Sequence, residues 1–330
     1  MDLSTTYLGL KLPHPLISGA SPLADELDGV KQLEDAGAAM IVLRSLFEEQ
    51  LVHEQFAAHS GIDAHENAFA EALSYFPAAE GFRFGPDSYL EYLADVKRTV
   101  SVPVVASLNG TTPGGWVEYA RLIEGAGADA LELNLFLVPT DPEESSLDIE
   151  ERLLSLVRAV RTHVKLPLAV KLSPFYTSLP HFARRLESEG ADGLILFNRF
   201  YEPDIDVRNQ KVVRALTLSS STELLPRLHG IATVSGRTRL SLAVTGGVHR
   251  GLDALKAVMC GADGVQMVSA LLREGPQHLR TVRDQMEAVL EANEYDSLAQ
   301  VKGSMGLTRC PDPKAYERLN YMHILQNWRP

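Results

Sequence analysis

One short phrase occurs four times along this chain of 330 residues, and it limits the possible folds more than any other feature. Each copy follows a stretch of helical periodicity and contains a glycine, a small residue and a dense apolar run. The copies are AGAAMIVLRS from Ala36, AGADALELN from Ala126, EGADGLILFN from Glu189 and CGADGVQMVSA from Cys260. The glycine suits the left-handed residue that ends a helix, and the apolar run suits a strand buried on both faces. Each copy therefore predicts a helix followed by a buried strand.

A second phrase alternates with the first, and in it a proline or serine leads into an apolar run. Its copies are HPLISGAS from His14, VPVVASLNG from Val102, LPLAVKLSP from Leu166 and LSLAVTGG from Leu240. Amphipathic segments such as SYLEYLADVKRTV and IEERLLSLVRAVRTHV lie between the strands. Strand and helix alternating eight times predict an α/β fold, a closed parallel (β/α)8 TIM barrel with its helices outside.

The competing architecture is an open, doubly wound sheet, which usually has a G-x-G-x-x-G turn after its first strand. The segment ISGASPLAD offers no such turn. Two connections are long, 45–87 after the second barrel strand and about 199–222 after the sixth, and long loops of compact domains are commonly functional. No low-complexity linker divides the chain, so we expect one domain, 1–330.

The formal net charge of −12 narrows the class of partner. A negative field repels nucleic-acid phosphates and anionic membrane surfaces, so we expect neither as a partner. Cys260 and Cys310 are too few for a disulfide framework or an iron–sulfur site, and no Cys/His cluster indicates a metal. The N-terminal segment lacks the basic and apolar regions of an export signal. These features favour a cytoplasmic protein without a bound metal.

Polar residues or glycines follow the predicted strands where each apolar run ends. In a barrel these positions all lie at the C-terminal mouth, and polar groups that end buried strands need partners. A single asparagine there is better explained as a turn former, but the whole set predicts a bound polar ligand. The set comprises Ser18, Ser21, Arg44, Asn109, Asn134, Lys171, Asn198, Thr245, Gly246, Gly247 and Ser269.

The sequences TGG after the seventh strand and VSA after the eighth are the most specific part of this set. In barrels, the loops after these two strands form a phosphate site from backbone N–H groups. Gly246 and Gly247 permit close approach of a phosphate, and Ser269 can donate its hydroxyl. The alternative is ordinary helix capping with a tight turn, which is also the role we expect for His249. Paired glycines and a hydroxyl in adjacent units favour a phosphorylated cofactor.

Lys171 ends a strand that otherwise consists of apolar residues, so its ammonium is expected inside the barrel mouth. A buried lysine needs a negative partner or loses its charge. On the sequence alone, three roles stay open. Lys171 is a Schiff-base nucleophile, a member of a structural ion pair, or a cation that faces an electron-rich cofactor.

Five segments have an order and spacing in common with one known family. They are ELNL (Glu132–Leu135), VKLSP (Val170–Pro174), VTGGV (Val244–Val248), CGADGVQMVSALLREGP (Cys260–Pro276) and SLAQVKGSMG near the C-terminus. Through them the chain resembles the dihydroorotate dehydrogenase family, from GLKLPHPLISGAS to the final helices. The resemblance implies a soluble, class 1-like oxidoreductase that uses FMN and acts on a small-molecule substrate.

The resemblance also implies where FMN lies. Its phosphate is expected on Gly246, Gly247, Val268 and Ser269, and its ring near Ser18, Gly19, Asn109, Asn134, Lys171 and Asn198. Lys171 and Asn134 are then the expected catalytic residues, with Lys171 stabilising negative charge on the reduced flavin. Arg44 stands where the family usually has lysine, and we include it among the cofactor-binding residues although its planar fork is a different donor.

Three substrate-facing segments depart from the family pattern. In direct register, Leu137 replaces the Cys or Ser that acts as the base, and leucine cannot accept a proton. The asparagine-rich loop that holds the orotate ring reads Ser74–Pro77 here, and Arg199, Phe200 and Tyr201 stand beside the sixth-strand asparagine in place of a small polar residue. The prediction is therefore an FMN-dependent oxidoreductase that acts on a substrate other than dihydroorotate.

Three alternatives stay open. The first is a genuine dihydroorotate dehydrogenase of pyrimidine biosynthesis with a displaced base. Thr140 and Asp141 lie further along the same loop, Tyr176 and Thr177 follow the fifth strand, and no spacing identifies any of them as that base. The second is a phosphate-binding lyase or isomerase that uses Lys171. The third is a flavoprotein subunit that passes electrons to an acceptor protein. The resemblance also predicts a homodimer, the commonest oligomer.

Overall fold

Twelve strands form in the part of the chain that the structure, a computed structural model, describes: residues 1–47, 85–110, 116–200, 202–213, 216–327 and 329. They are β1 (Thr5–Tyr7), β2 (Leu10–Leu12), β3 (Leu16–Ser18), β4 (Ile41–Phe47), β5 (Val104–Asn109), β6 (Ala130–Leu135), β7 (Leu168–Leu172), β8 (Gly193–Leu196), β9 (Asp204–Asp206), β10 (Lys211–Val213), β11 (Ser241–Thr245) and β12 (Gly264–Met267). Eight of them close into a barrel, and the other four pair as two antiparallel hairpins.

The barrel is parallel throughout, in the order β11–β12–β3–β4–β5–β6–β7–β8. This confirms the predicted (β/α)8 TIM barrel, and each of the eight repeated phrases contains all or most of one of its strands. The glycines of the first phrase have positive φ, +91° at Gly37 and Gly127, +95° at Gly190 and +121° at Gly261. A residue with a Cβ resists this conformation, which explains why glycine recurs there.

Helices cover the outside of the barrel. The α-helices are Leu27–Asp35, Pro86–Thr99, Trp116–Gly125, Ser146–Arg161, Leu179–Ser188, Leu224–Val234, Gly251–Cys260, Ser269–Glu274, His278–Ala292, Leu298–Val301 and Arg318–Asn327, with 3-10 turns at Pro22–Ala24, Ser221–Glu223 and Pro313–Tyr316. Their buried faces contribute Leu33, Leu93, Val157, Phe182 and Ile231 to the larger of two cores. Within the described ranges, no helix is both long and apolar enough to cross a membrane.

A second, smaller core fills the inside of the barrel. Alternate strand residues point inward because successive side chains of a strand point to opposite faces of the sheet. The inward residues include Val105, Ala130, Ala169, Ile195 and Ala243, and they pack with Tyr7, Leu8 and Leu12 of the β1–β2 hairpin. The backbone N–H of Leu8 donates to Oγ of Ser241, at the start of β11. The hairpin therefore closes the N-terminal end of the barrel and leaves the C-terminal mouth as the open end.

The two long connections differ from simple loops. The connection after β8 contains the antiparallel β9–β10 hairpin, which the sequence interpretation did not anticipate. Its alternating apolar residues, Ile205, Val207 and Val212, are exposed. The predicted connection 45–87 is shorter at both ends, because β4 runs to Phe47 and a helix begins at Pro86. The rest of that connection, 48–84, lies outside the described residues.

Candidate functional site

The strand register places three predicted site residues side by side at the C-terminal mouth. Asn109 on β5 pairs with Asn134 on β6, and Asn134 pairs with Lys171 on β7. Paired positions of parallel strands present their side chains on the same side, which is the barrel interior here. Asn134 and Lys171 are buried, and Asn109 is half-buried. Three of the predicted polar residues therefore form one row across the mouth.

A buried carboxylate that the sequence analysis did not single out holds Lys171. The Lys171 Nζ lies 3.1 Å from Oε1 of Glu132, which is completely buried, and Nε2 of Gln266 donates to the other Glu132 oxygen over 2.9 Å. Glu132 lies two residues before Asn134, so the two-residue period of the strand was the signal that would have placed it inside the barrel. Of the three roles left open by the sequence, the structure shows the ion pair, because Lys171 is bound to Glu132. The pair keeps Lys171 charged, which disfavours the Schiff-base nucleophile, and it is compatible with a cation that faces a cofactor.

Asn134 and Asn198 are joined directly. The Asn198 Nδ2 donates to Oδ1 of Asn134 over 2.9 Å. The bond links the end of β6 to the segment that follows β8. Because β7 lies between these two strands in the barrel, the bond crosses over the strand that carries Lys171. An amide carries one donor group and one acceptor group, and this bond uses one of each. The bond leaves the Asn134 amide nitrogen and the Asn198 amide oxygen as a further donor and a further acceptor.

The two glycines after β11 have a definite structural task. Gly246 and Gly247 have φ of +85° and +79°. A Cβ on Gly247 would lie 2.4 Å from the backbone nitrogen of Leu224, so the missing side chain lets this loop pack on the helix that begins there. The Gly247 N–H donates to Oγ of Ser219 over 3.3 Å, and the Ser219 N–H donates to Oγ of Ser269 over 3.1 Å. Ser219, which the sequence analysis missed, therefore ties the two predicted phosphate loops together.

His249 belongs to the support of the same loop. Its Nε2 lies 3.1 Å from Oγ of Ser219, and its backbone N–H donates to Oδ2 of Asp253 over 3.0 Å. Burial, followed by the charge of Arg273, lowers the pKa of His249. His249 therefore lies just before the helix Gly251–Cys260, but its side chain contacts Ser219 and not the helix end, so a capping role of this side chain stays a prediction.

A buried arginine beside these loops gave no signal in the sequence. Arg227 lies in the helix Leu224–Val234 and is 7% exposed. Its Nε donates to the carbonyl of Thr245, and its Nη1 donates to the carbonyl of Glu223. Arginine in a surface helix normally reaches water, so the pattern LLPRLHGIATV gave no reason to place this side chain inside.

These elements enclose a cavity of about 210 Å³. Five of the predicted cofactor residues line it, namely Lys171, Asn198, Gly246, Val268 and Ser269. Pockets that hold a whole drug-sized ligand usually measure about 300–1,000 Å³. The cavity therefore suits one end of a cofactor, such as a phosphate and the chain attached to it.

Two buried hydroxyls at the mouth have no hydrogen-bond partner among the described residues. They are Oγ of Ser18, at the end of β3, and Oγ of Ser21, which lines the cavity. A buried hydroxyl without a partner costs about 1–3 kcal/mol, so such groups commonly meet a ligand. The donor set of amides, hydroxyls and one lysine fits the polar edge of a flavin nucleotide.

Two of the predicted cofactor residues make protein contacts of their own. A Cβ on Gly19 would lie 2.7 Å from Cγ2 of Val268, so Gly19 lets the ends of β3 and β12 approach closely. Arg44 forms an ion pair with Asp25 at 2.9 Å, and its side chain is 44% exposed. Arg44 does not line the cavity, and its ion pair with Asp25 is a contact within the protein, so its role in binding a cofactor stays a prediction.

The loop that follows β6 offers no proton acceptor at its start. Phe136 and Leu137 are half-buried, while Thr140 and Asp141 are exposed further along the loop. Tyr176 stacks on Phe182 at 4.6 Å, and burial raises its pKa, which makes it a poor base. The other positions singled out for the substrate side, Ser74–Pro77 and Tyr201, lie outside the described residues.

Two aromatic side chains meet above the barrel mouth. Phe175, from the loop after β7, meets Phe200, from the loop after β8, edge to face with ring centroids 5.0 Å apart. Phe175 is 60% exposed, so this apolar surface is accessible. The mouth thus has a polar floor of strand-end residues and an apolar rim.

Comparison with known proteins gives one consistent family. The family model described as "Dihydroorotate dehydrogenase" matches residues 79–290. A "Putative dihydroorotate dehydrogenase A (fumarate)" from Aeropyrum pernix is 28% identical over 311 residues, 92% of this chain and 97% of the relative. A "Dihydroorotate dehydrogenase B (NAD(+)), catalytic subunit" from Thermoplasma acidophilum is 25% identical over 92% of this chain and 98% of the relative. A catalytic subunit of the same description from Endomicrobium trichonymphae is 24% identical over 93% and 98%.

Proposed function

Because the chain belongs to the dihydroorotate dehydrogenase family of FMN-dependent oxidoreductases, we propose that it transfers hydride between FMN and a small molecule other than dihydroorotate. We further propose that residues 1–330 act as one FMN-binding barrel domain. Within the barrel, the proposed cofactor site comprises the strand-end row, the two loops after β11 and β12, and the cavity between them.

The contacts at the mouth support the cofactor assignment. Gly246, Gly247, Val268 and Ser269 would hold the phosphate, and Ser18, Gly19, Asn109, Asn134, Lys171 and Asn198 would surround the ring. Bound FMN would supply the hydride acceptor. Lys171, held by Glu132, places a positive charge where negative charge develops during the reaction. The paired amides of Asn134 and Asn198 orient what binds above them.

The substrate proposal rests on Leu137. At the position where the family has a Cys or Ser base, this chain has a half-buried leucine that cannot take a proton. The edge-to-face pair of Phe175 and Phe200 adds apolar surface to the same side of the mouth. A site that binds a polar ring selects its substrate by hydrogen bonds. Loss of the residues that make these bonds therefore lowers the selectivity for that substrate by orders of magnitude. An apolar rim and no base favour a substrate less polar than dihydroorotate.

A second candidate is a genuine dihydroorotate dehydrogenase, and the names of the relatives favour it. The relative from Aeropyrum pernix, matched over 97% of its length, has that activity in its description. On this hypothesis a displaced residue such as Thr140 or Asp141, both exposed, acts as the base. The two candidates differ in whether dihydroorotate reacts at the flavin.

The route of the electrons and the assembly are further parts of the proposal. Several relatives are described as a catalytic subunit, which implies a second protein in their complexes. We propose that electrons leave this chain through either a diffusing acceptor or an acceptor protein. We also propose a homodimer, and the exposed apolar residues Tyr321, Ile324 and Leu325 of the helix Arg318–Asn327 support an assembly.

Two equilibrium titrations test the proposal. The full chain, freed of any ligand, is titrated with FMN and then, as the holoprotein, with orotate, while the flavin absorption is followed. We expect one FMN per chain, and we expect orotate to leave the flavin spectrum unchanged because its hydrogen-bond partners are missing. Failure to bind FMN would contradict the cofactor assignment. A saturable spectral shift with orotate would favour the genuine dihydroorotate dehydrogenase.

A further inference from the structure

Arg227 is a buried cation that forms no ion pair within the described part of the chain. Arg227 is 7% exposed, and among the described residues no carboxylate oxygen lies within 4.0 Å of its side-chain nitrogens. The nearest acidic candidate in its helix region, Glu223, is paired with Arg199 at 3.5 Å instead. Burial lowers the pKa of the Arg227 guanidinium, because a charged group loses solvation there, and the attraction of the Glu223 charge only partly opposes this shift. A buried charge of this kind is stabilised by an anion that binds beside it.

The guanidinium is fixed toward the loop after β11. Its Nε donates to the carbonyl of Thr245, and its Nη1 donates to the carbonyl of Glu223. Neither bond uses Nη2. A Cβ on Gly246 would lie 2.8 Å from Nη2, so the glycine leaves room for the guanidinium at this point. The fork is therefore held by two backbone carbonyls while its remaining nitrogen lies at Gly246.

The Arg227 guanidinium and the two loops proposed to bind phosphate line the same cavity. Arg227, Gly246, Val268 and Ser269 all line it. The Ser269 hydroxyl accepts a hydrogen bond from the Ser219 N–H and still has its own hydrogen to donate. A fixed cation, a hydroxyl donor and glycine backbone around one cavity match the needs of a phosphate monoester dianion.

We propose that Arg227 binds the phosphate of FMN directly and that this contact makes the site select FMN over riboflavin. The proposal rests on the proposed function, because it deepens the assignment of the cofactor site. Guanidinium binds phosphate through charge-assisted hydrogen bonds, and riboflavin has no phosphate to receive them. Arg227 contributes to affinity for the phosphate and leaves the flavin ring to the strand-end residues.

The test compares dissociation constants for FMN and riboflavin, measured by flavin fluorescence on the full chain. We expect Arg227→Met to weaken FMN binding at least about tenfold, equal to about 1.4 kcal/mol, and to change riboflavin binding less than about twofold. Arg239→Met is the matched control, because it also removes one arginine but from a side chain that is 96% exposed, just before the start of β11. The control should leave both constants unchanged.

The outcomes separate the inference from the proposed function. If the wild-type chain binds neither flavin, the proposed function fails. If the wild type binds FMN but Arg227→Met keeps the full preference for FMN, the proposed phosphate contact is wrong. The same holds if the substitution weakens the binding of FMN and riboflavin equally, because Arg227 then only stabilises the loop. Arg227→Lys keeps a charge and serves if the methionine variant does not fold. The lysine variant should prefer FMN over riboflavin less strongly than the wild type does, and an unchanged preference would overturn the proposed contact of the guanidinium with the phosphate.

Discussion

At the scale of single residues, the sequence identified polar groups by position but not their partners. Lys171 was predicted at the barrel mouth because it ends an apolar strand, and the structure confirms that position. Its partner Glu132 was hidden inside the apolar run ALELNL. Arg227 and Ser219 were hidden in a helix and a loop whose patterns resemble solvated segments. Burial of a polar residue depends on what the rest of the fold places around it, and local patterns do not contain that information.

The ion pair of Glu132 and Lys171 predicts a non-additive pair of substitutions. Glu132→Gln leaves the Lys171 charge buried without its partner, and this should lower the free energy of unfolding by about 3–5 kcal/mol. Lys171→Met should cost a similar amount by leaving the carboxylate unpaired. The double variant should be less destabilised than the sum of the two, because neither charge is then left alone.

Urea unfolding of the four proteins without cofactor measures this coupling. The prediction is a coupling free energy of at least about 1 kcal/mol between the two sites. Additive effects of the two substitutions would show that the ion pair contributes nothing to the fold.

At the scale of secondary-structure elements, the sequence predicted the barrel but not the hairpins. The eight strands and the helices between them were predictable because each has an apolar pattern and a glycine or proline at its boundary. The β9–β10 hairpin was not, since its strands have three residues each and expose their apolar side chains. The β1–β2 hairpin was also missed, although its Leu8–Gly9 turn, with φ of +53° and +77°, is a typical hairpin turn.

The contact between the loop after β11 and the helix Leu224–Val234 predicts the effect of a substitution at Gly247. A Cβ there would lie 2.4 Å from the Leu224 nitrogen and 2.8 Å from its Cα, and backbone atoms cannot move aside easily. The control is Gly9→Ala, because Gly9 has nearly the same φ, +77°, with nothing within 4 Å of an added Cβ. Gly9→Ala should cost about 1–2 kcal/mol from backbone strain alone.

Gly247→Ala should cost more than Gly9→Ala, because overpacking adds about 1–3 kcal/mol to the same backbone strain. Thermal and urea unfolding of both variants give the comparison. Equal losses would mean that the loop moves away from the helix without cost, and the tight contact would then have no role in fixing the site.

At the scale of the whole molecule, the fold separates stability from chemistry. Two cores, one inside the barrel and one between strands and helices, hold the scaffold, and the hairpin closes the N-terminal end. The polar residues of the proposed site collect at the C-terminal mouth, as they do in other barrels. The sequence indicated this division because polar residues and glycines follow the apolar strand runs only at their C-terminal ends. It gave no information on the size of the cavity or on which cations face it.

Buried His14, just before β3, predicts how stability depends on pH. Burial, followed by the charge of Arg283, lowers its pKa from 6.5 to about 4, and its Nδ1 accepts a hydrogen bond from the Leu16 N–H at 3.3 Å. Below pH 6.5 the unfolded chain binds a proton that the folded chain excludes. Stability is therefore complete above that pH and is lost as the pH falls toward 4, by up to about 3 kcal/mol.

A variant isolates this contribution from other titrating groups. His14→Asn keeps an acceptor for the Leu16 N–H but does not titrate. Between about pH 7.5 and pH 5, the wild type should lose about 2 kcal/mol more unfolding free energy than His14→Asn. Parallel pH profiles for the two proteins would show that His14 is protonated in the folded state.

The central claim is that the chain has kept the flavin site of its family and lost the chemistry on dihydroorotate. The most direct test is anaerobic reduction of the FMN-loaded protein, followed by the absorption of oxidised flavin after rapid mixing with dihydroorotate. We predict no bleaching over many minutes, while dithionite bleaches the same sample at once. Rapid bleaching by dihydroorotate would contradict the claim and would mean that another residue performs the proton transfer that Leu137 cannot.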